Sequence, residues 1–121
     1  MTDTKKFIKY IYKALDDKKA EDITVIDISN NSTISDFFVI ANGSNLLHVQ
    51  SLVNSVVSEL GKEGLEAKRV EGGRDSTWIL IDYLDVIVHI FSREDRSFYN
   101  LERIWQDGKL ISKEDVLSWD E

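Results

Sequence analysis

The sequence predicts one α/β (α+β) domain in two layers, with helices packed on a mixed five-stranded sheet. Apolar residues recur at three- and four-residue spacing in three segments, which is the period of amphipathic helices. Five shorter segments are β-branched, alternating or continuously apolar, which is typical of strands. The 121 residues include no proline and only six glycines, and no Gly/Ser-rich linker divides them. A composition of 42% hydrophobic and 31% charged residues suits a single core.

The first part of the chain predicts a helix and two strands. Residues 4–19 predict the helix, and its apolar stripe consists of Phe7, Ile8, Ile11, Tyr12 and Leu15. Residues 23–29 are short and β-branched, so they predict a strand, and residues 30–32 (NNS) signal a turn. The run FFVIA over 37–41 predicts a second strand that is buried on both faces, because it is apolar throughout.

A second helix follows the strand-breaking residues 42–45 (NGSN), where Ser44 or Asn45 can cap it. Its apolar face consists of Val49, Leu52, Val53, Val56, Val57 and Leu60. Gly61 or Gly64 can end this helix. Residues 66–71 predict a weak third strand, and the strand–helix–strand unit over 37–71 predicts a right-handed parallel crossover.

Two strong strands come next, TWILIDY over 77–83 and VIVHIF over 86–91. Because only Leu84 and Asp85 separate them, they predict an antiparallel hairpin. A last helix over 95–106 has an apolar face of Phe98, Leu101 and Trp105. The predicted order is therefore αββαβββα, in a domain that spans residues 1–107. Residues 108–121 form an acidic tail, which is either mobile or contains a short helix capped around Ser112.

Composition and charge exclude several classes of protein. There is no cysteine, which excludes disulfide scaffolds, thiolate zinc sites and cysteine nucleophiles. We see no secretory signal and no apolar run approaching the roughly 20 residues of a membrane helix, so we expect a soluble, cytoplasmic protein. The net charge of −7 opposes binding to bare nucleic acid, because such binding neutralises phosphates with Lys and Arg. A neutral or basic partner is therefore favoured.

One pattern resembles an enzyme site. Gly43-Ser44 between a strand and a helix is similar to the phosphate-binding start of a nucleotidyltransferase site, and Asp82 and Asp85 are the candidate Mg²⁺ ligands. Two residues separate these acids instead of the expected one, and a spacing of three along a strand directs side chains to opposite faces. A helix cap and a hairpin turn explain all four residues more simply.

The two histidines give no further support to catalysis. His89 lies within an apolar strand, where a lone histidine is more often packed or hydrogen-bonded than catalytic. His48 is distant from it in sequence, and no HExxH, P-loop, GxGxxG or nucleophile-elbow pattern is present. We therefore expect no enzyme activity, no catalytic residue, no metal and no cofactor.

Aromatic residues are dense in the second half of the chain: Trp78, Tyr83, Tyr99 and Trp105. Trp and Tyr are enriched at interface hot spots, although Tyr99 and Trp105 also suit packing of the last helix. Alternation along the strand places Trp78, Leu80 and Asp82 on one face, and Thr77, Ile79, Ile81 and Tyr83 on the other. A Trp beside an Asp on one face predicts a surface that meets a basic partner.

The stretch from 72 to 105 resembles the Iojap or RsfS family, the ribosomal silencing factors. The residues that match its signature in order are Trp78, Asp82, Asp85, Val86, Val88, His89, Tyr99, Leu101, Glu102 and Trp105. Upstream, residues 35–40 (SDFFVI), 48–49 (HV) and 67–72 also match, so the resemblance covers roughly residues 5–106. One departure is Leu84, where the family commonly has Gly. A bulky residue there requires a turn with negative φ, or strain.

The resemblance implies a fold similar to nucleotidyltransferases without their activity. It implies binding to the large ribosomal subunit through the protein numbered fourteen on its subunit-facing surface, a steric block to subunit joining, and repression of translation. It also implies a homodimer when the protein is free. The predicted partner-binding residues are Trp78, Leu80, Asp82, Tyr83, Leu84 and Asp85. A large-subunit assembly factor and a nucleotidyltransferase-like enzyme are the two alternatives.

Overall fold

The computed structural model describes residues 2–29, 35–73, 76–93 and 108–119, with side chains from residue 4 onward. Its elements are α1 (Thr2–Asp17), β1 (Glu21–Asp27), β2 (Phe37–Gly43), α2 (Leu46–Lys62), β3 (Arg69–Glu71), β4 (Trp78–Asp82), β5 (Val86–Ser92), β6 (Lys109–Ile111) and α3 (Lys113–Leu117). The turn predicted at 30–32 and the helix predicted over 95–106, with Tyr99 and Trp105, lie outside the described residues.

The strands form one mixed sheet in the order β3-β4-β5-β2-β1-β6. The predicted mixed sheet is confirmed, and so is the antiparallel hairpin of β4 and β5. The predicted count of five strands is wrong, because β6 pairs with the outer edge of β1. This strand is only three residues long, too short for an alternating pattern to mark it in the sequence.

The predicted crossover connects different neighbours from those expected. β2 pairs in parallel with β5, whereas β3 lies at the far edge of the sheet and pairs only with β4. The hairpin of β4 and β5 is thus inserted between the two strands that α2 connects. Sequence patterns give the strand–helix–strand unit but do not show that a later hairpin takes the place beside β2.

The main core lies between the sheet and the two long helices. It combines one side of the central strands (Val39, Ala41, Val88 and Ile90 among others) with Ile8, Ile11, Leu15, Leu52, Val56 and Leu60 of the helices. The opposite side of the sheet carries a second buried cluster of Ile26, Ile28, Ile40 and Phe91. β2 is therefore buried on both faces, as its apolar run predicts.

The predicted ends of α2 are confirmed. The Asn45 side chain accepts a hydrogen bond from the backbone N–H of His48 at 2.8 Å, which caps the helix. Gly64, with φ of +86°, follows the last turn. The N–H of Leu65 then donates to the carbonyl of Leu60, which satisfies an otherwise unpaired helix carbonyl.

The C-terminal segment packs on the domain. The Ser112 hydroxyl accepts from the N–H of Asp115 and caps α3, so of the two alternatives left open for this segment the structure has the short helix. Val116 is fully buried in the main core, and the Trp119 ring meets Phe37 edge-on with centroids 6.0 Å apart. In the described part of the chain, no helix is long and apolar enough to cross a membrane.

Candidate functional site

Strand β4 divides the predicted partner-binding residues between its two sides. Ile79, Ile81 and Tyr83 point into the main core under the helices. Trp78, Leu80 and Asp82 alternate with them and therefore lie on the outer side of the sheet. Of the predicted set, Tyr83 is thus on the core side and only 7% exposed. Alternation had grouped Tyr83 with Ile79 and Ile81, and because the structure buries all three, Tyr83 has little surface for the partner contact predicted for it.

Trp78 stands at the start of β4 and is 38% exposed. Its indole ring stacks on Phe91 with centroids 5.1 Å apart. Its Nε1–H donates to Nδ1 of His89 at 3.2 Å. The ring is thus fixed on its inner edge by directional contacts while its outer part meets solvent, which is how rigid aromatic anchors at interfaces are built.

His89 lies beneath Trp78 and is 5% exposed. Phe38 packs edge-on against it with ring centroids 4.7 Å apart. Because Nδ1 accepts from Trp78, the proton of the neutral ring is on Nε2, which has no hydrogen-bond partner in the described part of the chain. Burial lowers the pKa of His89 to about 4, so the imidazole is neutral at pH 7.

Asp82, at the end of β4, is only 9% exposed. Its Oδ1 accepts from the N–H of Leu84 at 2.8 Å, and its Oδ2 lies 3.4 Å from Nε of Arg69 on β3. We expected a more exposed carboxylate facing the partner. The observed carboxylate instead ties the end of β4 to its own turn and to the edge strand.

Leu84 is the tip of the hairpin and is 57% exposed. Its φ is +74°, in the left-handed region, and the N–H of Asp85 donates to the carbonyl of Tyr83 at 2.9 Å. A bond between residues two apart around such a central residue makes a γ-turn of the strained type. The sequence left the turn type open between negative φ and strain, and the structure has the strained alternative.

The turn is held in place from both sides. The carbonyl of Asp85 accepts from the N–H groups of Asp36 and Phe37 at 3.0 and 3.1 Å, while the Tyr83 N–H donates to the carbonyl of Val86. Strain of this kind persists only where surrounding bonds determine the conformation, and it concentrates at functional sites. The exposed Leu84 side chain is therefore presented in a fixed position.

Asp85 is exposed beside this tip. Its Oδ2 accepts from the hydroxyl of Thr4, at the start of α1, at 3.3 Å. Tyr83 lies between the same helix and the turn, and its buried hydroxyl has no partner within the described residues. Burial, with a smaller contribution from the charge of Glu66, raises the pKa of Tyr83 to about 12.

The residues that resemble a nucleotidyltransferase site are used for packing and capping. A Cβ at Gly43 would lie 2.9 Å from the backbone nitrogen of Val49, so close approach of β2 to α2 requires glycine there. The Ser44 N–H donates to Nδ1 of His48 at 2.9 Å, and Nε2 of that ring lies 2.7 Å from the carbonyl of Lys18. The His48 ring thus accepts the hydrogen bond from the Ser44 N–H, the group that would donate to a phosphate in a nucleotidyltransferase site.

The candidate metal ligands Asp82 and Asp85 have different surroundings. Asp82 is on the outer side of the sheet, whereas Asp85 contacts α1 in the turn. Among residues 2–29, 35–73, 76–93 and 108–119, no three His, Asp or Glu side chains lie close enough together to hold an ion. The two histidines also have separate partners, Trp78 for His89, and Ser44 with Lys18 for His48.

Sequence reasoning missed two residues that shape this surface. Arg69 pairs with Asp82, and Thr4 hydrogen-bonds Asp85 from a helix far away in sequence. The weak third strand gave no reason to single out Arg69, and Thr4 precedes the apolar stripe of α1. Only the three-dimensional arrangement brings both to the β4–β5 hairpin.

The sequence matches one family profile, described as "Ribosomal silencing factor during starvation", over residues 1–120. It is 39% identical over 105 residues to the ribosomal silencing factor RsfS of Halalkalibacterium halodurans, which covers 87% of this chain and 90% of that protein. It is 37% identical over 106 residues to the RsfS of Bacillus subtilis, which covers 88% and 90%.

Solved structures and a more distant relative agree with these matches. A crystal structure of a protein from Bacillus halodurans superposes with a TM-score of 0.75 at 35% identity, covering 85% of this chain and 93% of that one. A Chromobacterium violaceum protein gives 0.78 at 32% identity, covering 83% of each chain. The mouse protein named for mitochondrial assembly of the ribosomal large subunit is 27% identical over 101 residues, covering 81% of this chain and 44% of that protein.

Proposed function

This chain belongs to the ribosomal silencing factor family, and we propose from that premise that it binds the large ribosomal subunit and prevents joining of the small subunit. Repression of translation follows, because only joined subunits elongate. We propose that it docks on the large-subunit protein numbered fourteen, on the surface that faces the other subunit.

One structural observation carries this proposal. The outer side of β4 and its turn present two fixed apolar side chains, Trp78 and Leu84, with Asp85 beside the second. At about 3.3 Å per residue β4 alone extends roughly 13 Å, and Leu84 lies beyond its end in the turn, so the two side chains span a surface suited to a protein partner. Leu80 lies between them on the same strand and is partly exposed.

The charge of the chain suits this partner. A net charge of −7 attracts a basic ribosomal protein and opposes stable binding to bare RNA. Steric exclusion then completes the mechanism: a bound domain of this size occupies the space into which the small subunit would dock. No chemical step is required, and the named relatives are silencing factors.

A subunit-association assay tests this function. Purified large subunits are incubated with saturating protein before small subunits are added, and joined particles are separated by sedimentation. We expect fewer joined particles, and co-sedimentation of the protein with the large subunit but not the small one. Equal yields of joined particles with and without saturating protein would refute silencing.

Assembly of the large subunit is a second candidate function. The mouse relative is named for assembly of the mitochondrial large subunit, which favours it. The same surface can dock on a precursor particle that already contains the ribosomal protein. Preferential sedimentation with precursors over mature large subunits would support assembly, and the reverse preference would support silencing.

We also propose that the protein is cytoplasmic, as ribosome binding in a bacterial cell requires. When it is not bound to a ribosome, we propose that it forms a homodimer. Edge strand β3 supports the dimer, because Val70 is 45% exposed between Arg69 and Glu71. Antiparallel pairing of two copies centred on Val70 would set Arg69 of each copy opposite Glu71 of the other. Sedimentation equilibrium of the wild type and of Val70→Lys tests this arrangement, and a dimer that survives the substitution would place the contact elsewhere.

A further inference from the structure

A cavity of about 260 Å³ opens between the start of α1 and the β4–β5 hairpin. Its apolar walls are Phe7, Ile11, Leu65 and Val86. Sites for cofactors and other small molecules usually enclose about 300–1,000 Å³. This cavity is smaller, which suits one side chain of a macromolecular partner.

The polar side of the cavity is acidic. Asp85 lines it, and among the described residues its carboxylate accepts one hydrogen bond, from the hydroxyl of Thr4 at 3.3 Å. In the part of the chain that the structure describes, no Lys, Arg or His forms an ion pair with Asp85. Glu66 adds negative charge nearby, as its effect on Tyr83 shows. The cavity thus combines apolar walls with an unneutralised carboxylate.

We propose that this cavity receives a lysine or arginine side chain of the protein on which the chain docks. This rests on the function proposed above and adds a second contact to it, beside Leu84. Lys and Arg have an apolar stem that can lie along Phe7 and Leu65 and a cationic head that can reach Asp85. A purely apolar side chain would cover the carboxylate without neutralising it, which is costly.

The position of the Asp85 carboxylate is fixed before a partner binds. The backbone of Asp85 is fixed by the N–H groups of Asp36 and Phe37, at the start of β2, which donate to its carbonyl, and Thr4 orients the side chain. Little conformational freedom is therefore lost when a cation binds. Tyr83 and Asp85, which flank Leu84 in the turn, both line the cavity, so the cavity and the exposed Leu84 side chain are adjacent.

Two substitutions separate the charge of the cavity from its volume. Asp85→Asn removes the charge at constant size, and Leu65→Phe fills the space while leaving the carboxylate. Matched controls are Asp17→Asn, at the exposed far end of α1, and Leu47→Phe, at a position on α2 that is 82% exposed. Affinity for purified large subunits is measured for all five proteins over a series of salt concentrations, with melting temperatures as the check on folding.

We expect Asp85→Asn and Leu65→Phe each to weaken binding about tenfold, because the first removes the charge that pairs with the cation and the second blocks the space that its stem would occupy. Asp85→Asn should also reduce the salt dependence of binding, and both controls should bind like the wild type. Thr4→Phe is a second filling variant, in case Leu65→Phe melts early, and it should weaken binding equally. Because it also removes the hydroxyl that orients Asp85, Thr4→Val is its control and should bind more tightly than Thr4→Phe.

The possible failures are distinguishable. If the wild type binds large subunits and both filling variants bind equally well, the cavity is empty in the complex and this inference is wrong while the proposed function stands. A loss with Asp85→Asn alone would likewise overturn insertion, because it shows a surface charge contact only. If the wild type itself fails to bind large subunits, the proposed function and the inference fall together.

Discussion

The two sides of strand β4 are stabilised in different ways. On the inner side, Ile79 and Ile81 are at most 1% exposed and are surrounded by aliphatic side chains of the sheet and helices. On the outer side, Trp78 donates to His89, and Asp82 binds the N–H of Leu84 and pairs with Arg69. The inner side is stabilised by close packing of aliphatic side chains, whereas the outer side is stabilised by directional polar contacts.

If the outer side is the docking surface that we propose, this difference separates stability from recognition within one strand. Packing in a closed aliphatic core responds to every lost methylene group. Directional contacts at a partly exposed face fix the positions of side chains without burying them fully, which preserves surface for a partner. Substitutions on the inner side should therefore change mainly the free energy of unfolding, and those on the outer side mainly binding or pH dependence.

The largest expected effect comes from the inner side. Ile81→Ala should lower the free energy of unfolding by about 2–5 kcal/mol, because a fully buried side chain leaves a cavity in the main core. Urea denaturation monitored by circular dichroism measures it. Folded Ile81→Ala protein should bind large subunits with wild-type affinity. A strong loss of affinity at temperatures where it is folded would show that the two sides are not separable.

The second effect concerns His89 and acid. The unfolded histidine titrates near 6.5 and the folded one near 4, so between these values the unfolded chain binds more protons. Stability from this group is fully present above about pH 6.5 and is lost as the pH falls towards 4. At about 1.4 kcal/mol per pKa unit, the loss reaches about 3 kcal/mol. Denaturation midpoints from pH 7 to 4 measure it.

His89→Phe is the control for this titration. It removes the ionisable ring while retaining an aromatic side chain among Phe38, Trp78 and Phe91. Carboxylates still titrate in the variant, so the difference between the two pH profiles isolates the histidine. Parallel profiles for the two proteins would mean that the buried ring does not control acid sensitivity.

The third effect is on binding. Trp78→Ala should weaken binding to the large subunit about thirtyfold, or about 2 kcal/mol, because truncated Trp anchors commonly cost this much. Asp82→Asn should weaken it less, since the asparagine oxygen can still accept from Leu84 and only the charge beside Arg69 is lost. Sedimentation binding and circular dichroism of both variants make the comparison. If Trp78→Ala melts early yet binds normally when cold, the Trp serves the fold and the interface lies elsewhere.

The difference between the two sides also marks the limit of sequence reasoning. Period-two alternation separated the residues of β4 that face the core from those that do not, because apolar residues recur at every second position on the core face. The same alternation placed Asp82 on the outer side but gave no sign that it is buried there by Arg69 and its own turn. Helix ends were predictable at Asn45 and Gly64, since capping depends on neighbouring residues.

Long-range pairings were not predictable in the same way. Nothing local distinguishes β5 from β3 as the parallel neighbour of β2, because both have the same direction. The Thr4–Asp85 contact likewise joins residues that are 81 positions apart in the sequence. The docking surface that we propose was suggested by Trp78 and the family resemblance, whereas the cavity beside it is visible only in the structure.

The smallest expected effect tests the hairpin tip. An L-residue in the left-handed region costs roughly 1–2 kcal/mol, and Leu84 has φ of +74°. Leu84→Gly removes this strain, but the glycine gains freedom in the unfolded chain that offsets about 0.5–1 kcal/mol. The variant should therefore be more stable than the wild type by up to about 1 kcal/mol in urea denaturation.

Binding should change in the opposite direction, because Leu84→Gly also removes a 57% exposed side chain that the turn presents to the partner. Leu84→Ala separates the two contributions: it retains the strained backbone and most of its cost, but loses the side chain. We expect Leu84→Ala to match the wild type in stability and Leu84→Gly in weakened binding to large subunits. If glycine stabilises the chain and binding is unchanged in both variants, the strain is only a consequence of the tight turn. If both variants bind weakly while only glycine is more stable, the wild-type chain retains a strained leucine because its side chain contributes to docking.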